Sequence, residues 1–248
     1  MGTEALALDS VDALYGESHV LHGVSIEVDK GKVVALLGRN GVGKSTTLQA
    51  VLGIPAPLKG NILFNGHRIS GLSIAEIIRL GIAWVPQGHR IFSALTVEEN
   101  IALASVHGRS GPWTTNKILD LFPSLRARLR SRGGTLSGGE QQMLAIARAL
   151  IQNPELILMD EPSEGLSPRL VNEVGDIVAR LNSEGCSILL VEQNLAFAQR
   201  LAHHVCVMNK GSIVCEGSPG DIDRDPAFRR YLSVNASVDR SAAAISLN

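Results

Sequence analysis

The chain has 248 residues, 45% of them hydrophobic, enough to fill one large α/β domain or a core domain carrying a smaller lobe. A formal net charge of −1 gives no overall basic field of the kind that gathers DNA or RNA, so nucleic acid is not an expected partner. No uncharged apolar run reaches the roughly 18 residues of a membrane span, and no basic stretch precedes an apolar one at the N-terminus, so the expectation is a cytosolic chain.

In chain order, LALDSVDALY and then VSIEV ahead of Gly31 read as antiparallel strands. VVALL (33–37) is a short apolar strand, followed by a glycine-rich stretch and helical spacing over 44–53. NILFNGHRI places an Asn-Gly turn between two extended pieces, and IAWV (82–85) is again strand-like. Between about 95 and 150 the strand signal disappears. That region holds GRSGPW (108–113), which must be a loop, and helical spacing over 140–151. LILM (156–159), ILLV (188–191) and VCVM (205–208) are strands, with helical spacing over 168–183 between the first two. This alternation predicts a mainly parallel sheet with a small antiparallel layer beside it. Cys186, Cys206 and Cys215 lie in or beside apolar stretches without C-x-x-C spacing and read as reduced thiols. Residues 235–248 offer no periodic apolar face and are expected to form a flexible tail.

Three motifs carry chemistry. GRNGVGKST comprises Gly38, Arg39, Asn40, Gly41, Val42, Gly43, Lys44, Ser45 and Thr46, and fits G-x-x-x-x-G-K-[ST] between a strand and a helix. In that pattern backbone N–H groups turn toward phosphates, the lysine neutralises them and the serine hydroxyl can ligate Mg²⁺. LILMDEP ends a buried strand in two carboxylates: Asp160 is placed for the Mg²⁺ shell, Glu161 for the space where a γ-phosphate and an attacking water would sit. LSGGEQQ puts Ser137, Gly138 and Gly139 ahead of a helix, a second anion-binding helix start. Each motif also has a plainer reading: a glycine-rich turn, a helix-start charge pair, and an N-cap serine with a flexible glycine pair.

Phosphate loop, LSGGE and acidic strand together resemble the ATP-binding subunits of ABC transporters, over about residues 6 to 234. The resemblance implies an α/β P-loop NTPase with a mainly parallel core sheet, a small antiparallel β layer and a helical signature lobe. It implies one domain over 1–234, with a core lobe at about 1–87 and 152–234 and a helical lobe at about 88–151. ATP and Mg²⁺ are the implied cofactors, with Ser45, Gln87 and Asp160 around the metal and Glu161 as general base. Tyr15 matches the aromatic residue that stacks on adenine; Gln87 matches the glutamine that senses Mg²⁺ and water. Ser137 to Gly139 would serve ATP bound to the opposite subunit. Implied partners are transmembrane permease subunits, a second ATP-binding subunit in a homo- or heterodimer and, indirectly, a substrate-binding protein, at the cytoplasmic face of the membrane.

Two positions depart from the family's usual pattern. Gln193 stands where a histidine usually touches the γ-phosphate, and SEGLSP (163–168) has Ser167 where an aspartate is usual. Glu-Gln-Asn at 192–194, the Gly-Leu-x-Pro loop, VPQGHRIFSALTVEEN (85–100) and DLFPSL (120–125) are similar to the branched-chain amino acid uptake subgroup and its urea or amide relatives. An amide can donate to a phosphate oxygen and accept from water at once, so Gln193 joins the catalytic candidates; a strand-end turn residue is its plainer reading. Asn194 is expected to cap the next helix. A soluble ABC ATPase of DNA repair or ribosomes is disfavoured by the single ATPase unit, the lack of a long heptad insertion and the absence of a basic field.

Overall fold

The computed structural model describes residues 4–54, 56–106 and 108–232; the tail expected over 235–248 lies outside the described residues. The chain opens with β1 (Glu4–Tyr15) and β2 (Ser18–Asp29), an antiparallel pair in which Val24, Ile26 and Val28 alternate inward. β3 (Val33–Leu37) is buried throughout and runs into the phosphate loop and α1 (Lys44–Val51). β4 (Lys59–Phe64) pairs with β1 and turns back into β5 (His67–Arg68). The turn residues Asn65 and Gly66 have φ of 50° and 78°, the left-handed pair that a two-residue hairpin turn requires.

After α2 (Ile74–Leu80) and β6 (Ile82–Val85) the chain turns helical: α3 (Val97–Ser105), α4 (Thr115–Leu121), α5 (Pro123–Ala127) and α6 (Gly138–Leu150). GRSGPW is a loop there, pinned by the left-handed Asn153: its Oδ1 accepts from Trp113 N at 2.7 Å and its Nδ2 donates to Arg109 O at 3.0 Å. The chain then runs through β7 (Leu156–Asp160), α7 (Pro168–Ser183), β8 (Ser187–Glu192), α8 (Leu195–Leu201), β9 (His204–Asn209), β10 (Ser212–Gly217), α9 (Asp221–Arg224) and α10 (Pro226–Leu232).

The core sheet has the order β10-β9-β3-β8-β7-β6, parallel except at β10; the antiparallel sheet has the order β2-β1-β4-β5. A parallel strand covered on both faces needs apolar residues at every position, which is why the runs at 156–159 and 188–191 show no polar alternation. Leu189 and Val191 face a core shared with the antiparallel sheet and α1, while Ile188 and Leu190 face a core shared with α6 and α7. The order β3-β8-β7 makes neighbours of strands far apart in sequence, so the C-terminal ends carrying Gly38, Gln193 and Glu161 come together. In open α/β sheets that edge is where ligands bind.

Candidate active site

The phosphate loop is shaped by close backbone contact. Gly43 sits at φ 113°, and a Cβ there would lie 3.0 Å from Leu21 Cδ2 and 3.2 Å from Met208 Sδ, so the loop is pressed against β2 and β9. α1 has no side-chain N-cap and no acidic residue in its first turn, which leaves its first N–H groups open to an anion. Lys44 is only 3% exposed; its ammonium donates to Gly38 O at 2.9 Å and Arg39 O at 3.1 Å and pairs with Glu161 Oε1 at 3.1 Å. Removing either member of such a buried pair would leave an uncompensated charge.

Asp160 ends β7 and Glu161 follows it, and both carboxylates reach the phosphate loop. Asp160 accepts from Ser45 Oγ at 3.0 Å. Burial pushes its carboxyl above the ordinary aspartate value, a tendency that the Ser45 hydroxyl and Lys44 oppose and the Glu161 charge reinforces. Two hard oxygen donors side by side suit Mg²⁺, so these residues fit the expected ion. Glu161 adopts φ 48°, unusual for a residue with a Cβ, and its N–H donates to Val191 O at 2.9 Å. That conformation ends the strand and turns the side chain between two partners: Oε1 meets Lys44, and Oε2 accepts from Gln193 Nε2 at 2.7 Å.

Asn40, Gly41, Gly43, Lys44, Ser45 and Thr46 line one open cleft of about 450 Å³ together with Gln87, Glu161, Val20 and Gln49. Gln87 Nε2 donates to Glu164 Oε2 at 2.8 Å, tying the loop after β6 to the loop after β7. Gln193 is held on Glu161, one bond from the cleft. Tyr15 closes β1, but its side chain lies outside the described residues. Ser137, Gly138 and Gly139 are not part of the cleft lining. Ser137 caps α6 in a reciprocal box, accepting from Glu140 N at 3.3 Å while Glu140 Oε2 accepts from Ser137 N at 2.8 Å. Asn194 caps α8 as expected, through Phe197 N at 3.1 Å.

Glu192 has a place that sequence reasoning left unassigned. It is 2% exposed and accepts from the backbone N–H of Ser163 at 3.0 Å and of Gln193 and Asn194 at 3.1 Å each. It therefore joins SEGLSP to the end of β8. The available signal was a charged residue closing a strand otherwise apolar at every position. Ser167 starts α7 without a side-chain cap bond.

Comparison with known proteins bears on the family and the fold. The ABC transporter family model matches residues 21–164. The high-affinity branched-chain amino acid transport ATP-binding protein BraG of Pseudomonas aeruginosa is 43% identical over 226 residues, spanning 90% of this chain and 97% of that protein. The probable branched-chain amino acid transport ATP-binding protein LivF of Archaeoglobus fulgidus is 34% identical, spanning 89% and 94%. Among solved structures, the ADP conformation of MJ1267, an ATP-binding cassette of an ABC transporter, superposes with a TM-score of 0.83 at 28% identity over 94% of this chain and 100% of that one. With the phosphate loop, the acidic strand end and the LSGGE helix in one fold, the chain belongs to the ABC transporter family, as one of its ATP-hydrolysing cassettes.

Proposed function

We propose that this cassette powers an importer of branched-chain or other hydrophobic amino acids from the cytoplasmic face of the membrane. The observation that carries the substrate class is the 43% identity to BraG along nearly the whole of both chains. The Gln193–Glu161 bond supports it, because it gives the amide characteristic of 192–194 a task at the site.

The chain's residues divide the work. Gly38 to Thr46 cradle the phosphates of ATP, and Lys44 neutralises them. Ser45, Asp160 and Gln87 hold Mg²⁺, which supplies charge neutralisation to the phosphate oxygens when bound. In the present arrangement Lys44 holds Glu161 Oε1. Phosphate oxygens compete for the same ammonium, which releases that carboxylate oxygen to orient water and accept its proton. Gln193, on the other oxygen, acts as a positioning residue for the base. Ser137 to Gly139 stand outside their own cleft and complete the site of a second ATP-binding subunit, identical or different. The domain runs over 1–234, with the core lobe at about 1–87 and 152–234 and the helical lobe at about 88–151. Permease subunits receive the motion, and a substrate-binding protein delivers the solute to them.

The test is purification from native membrane followed by intact-mass analysis and transport in vesicles. Two permease chains should accompany the cassette, and labelled leucine should accumulate with ATP. Uptake of urea or short amides instead would move the substrate class, and a soluble assembly without a membrane component would overturn the reading.

A further inference from the structure

A second cluster of ligating side chains stands on the β1–β2 hairpin. His19 and His22 are three residues apart, a spacing that puts side chains on opposite faces of a regular strand. The register breaks twice here: Leu14 pairs with His19, Ala13 with Leu21 and Val11 with Val24, so β2 carries an extra residue at each step. Leu21 and Val24 therefore both face the core, and His19 and His22 both face outward. Their rings meet edge-on with centroids 4.2 Å apart. Asp12, on β1, is fixed beside them: Oδ1 accepts from Gly23 N at 3.1 Å and lies 3.1 Å from His19 Nε2. One ligand atom from each of the three residues lies within 4.8 Å of the others.

We propose that Asp12, His19 and His22 form a binding site for a transition-metal dication of the zinc class. Two imidazoles and one carboxylate suit borderline ions such as Zn²⁺, Co²⁺ or Ni²⁺ over Mg²⁺ or Ca²⁺, which take oxygen ligands. Zinc with three protein ligands keeps a fourth position for water or an exogenous group. The His19 side chain is 43% exposed, so its ring has room to turn toward a bound ion. The Gly23 N–H holds the carboxylate in place, and among the described residues no lysine or arginine pairs with Asp12.

The hairpin is joined to the nucleotide cleft. His22 N donates to Gly211 O at 2.8 Å, and Gly211 N donates to Val42 O of the phosphate loop at 2.8 Å. A Cβ at Gly211 would collide with Val20 O, and Val20, between the two histidines, lines the cleft. Metal that fixes His19 and His22 fixes one wall of the ATP site, and by linkage nucleotide must alter metal affinity by the same factor.

The experiment titrates the full-length chain with zinc against a chromophoric chelator, with Mg²⁺ in excess, and repeats it with Co²⁺ read by visible absorption. One equivalent should bind; His19→Ala, His22→Ala and Asp12→Asn should each weaken it at least about tenfold. His204→Ala, in the separate cluster of His204, Cys206 and Glu216, should leave it unchanged. Zinc uptake by the His19→Ala/His22→Ala double variant equal to wild type, or no uptake by wild type, would overturn the site. Nucleotide affinity unaltered by zinc in the wild type would overturn the linkage.

Discussion

Glu161 is held at three points, and each constrains what the others do. Its left-handed backbone is fixed by the bond to Val191 O, and its two carboxylate oxygens are divided between Lys44 and Gln193. Glu161→Gln keeps the shape and loses the base, so it should bind ATP and lose turnover by at least about a hundredfold. Single-turnover hydrolysis measures this; turnover near wild type would remove Glu161 from the chemistry. Gln193 acts through Glu161, so Gln193→Ala should slow turnover more than it weakens ATP binding. Gln193→His should keep substantial activity and add pH dependence between about 5.5 and 7.5, because an imidazole titrates there and an amide does not. Alanine turnover equal to wild type at every pH would reduce Gln193 to a strand-end residue.

At the scale of elements, the ends of β7 and β8 are joined by Glu192, whose carboxylate collects N–H groups from both segments. Burial pushes its pKa above the reference 4.5, against the hydrogen bonds from Ser163, Asn194 and Gln193 that favour the charged form. A raised folded-state pKa means that the folded chain holds this proton more tightly than the unfolded chain. Its contribution to stability is full below about 4.5 and declines as pH rises through the folded value. Glu192→Gln cannot titrate. The stability difference between variant and wild type should therefore shift toward the variant as pH climbs from about 4 to 7, read from urea midpoints. A constant difference across that range would mean that Glu192 titrates alike in the folded and unfolded chain.

For the whole molecule, the decisive fact is that the cleft and the LSGGE helix of one chain do not meet. They are nevertheless mechanically connected. Past Gln87, His89 Nδ1 lies 2.6 Å from Gln142 Oε1 on α6, and Arg148 of α6 donates to Arg90 O at 2.8 Å. The loop that carries Gln87 is thus hydrogen-bonded to the signature helix a few residues further on. With hydrolysis blocked, ATP should trap two cassettes face to face. The Glu161→Gln chain, alone or with its second cassette, should double in mass by sedimentation when MgATP is added and return to monomer on its removal. A monomer at saturating MgATP would contradict shared sites.

What could be read from the sequence was local. Strand–loop–helix around Lys44, the apolar runs at 156–159 and 188–191, the Asn-Gly turn at 65–66 and the Asn194 cap each depend on residues a few positions apart. The loss of strand signal between about 95 and 150 and the helical spacing at 140–151 were legible for the same reason; among the described residues that stretch adds one isolated bridge, between Thr96 and Arg132, outside the named strands. The family resemblance then assigned roles to positions whose own residues are ambiguous. Tertiary structure alone decided the partners. Gln193 meets Glu161, Gln87 meets Glu164 and Glu192 meets Ser163 because β3, β8 and β7 lie side by side and the loops following β6 and β7 converge, and strand order is a long-range choice that no local spacing encodes. The same holds for His19 and His22: their spacing reads as two faces of a strand, and only the bulged register against β1 puts them on one side with Asp12.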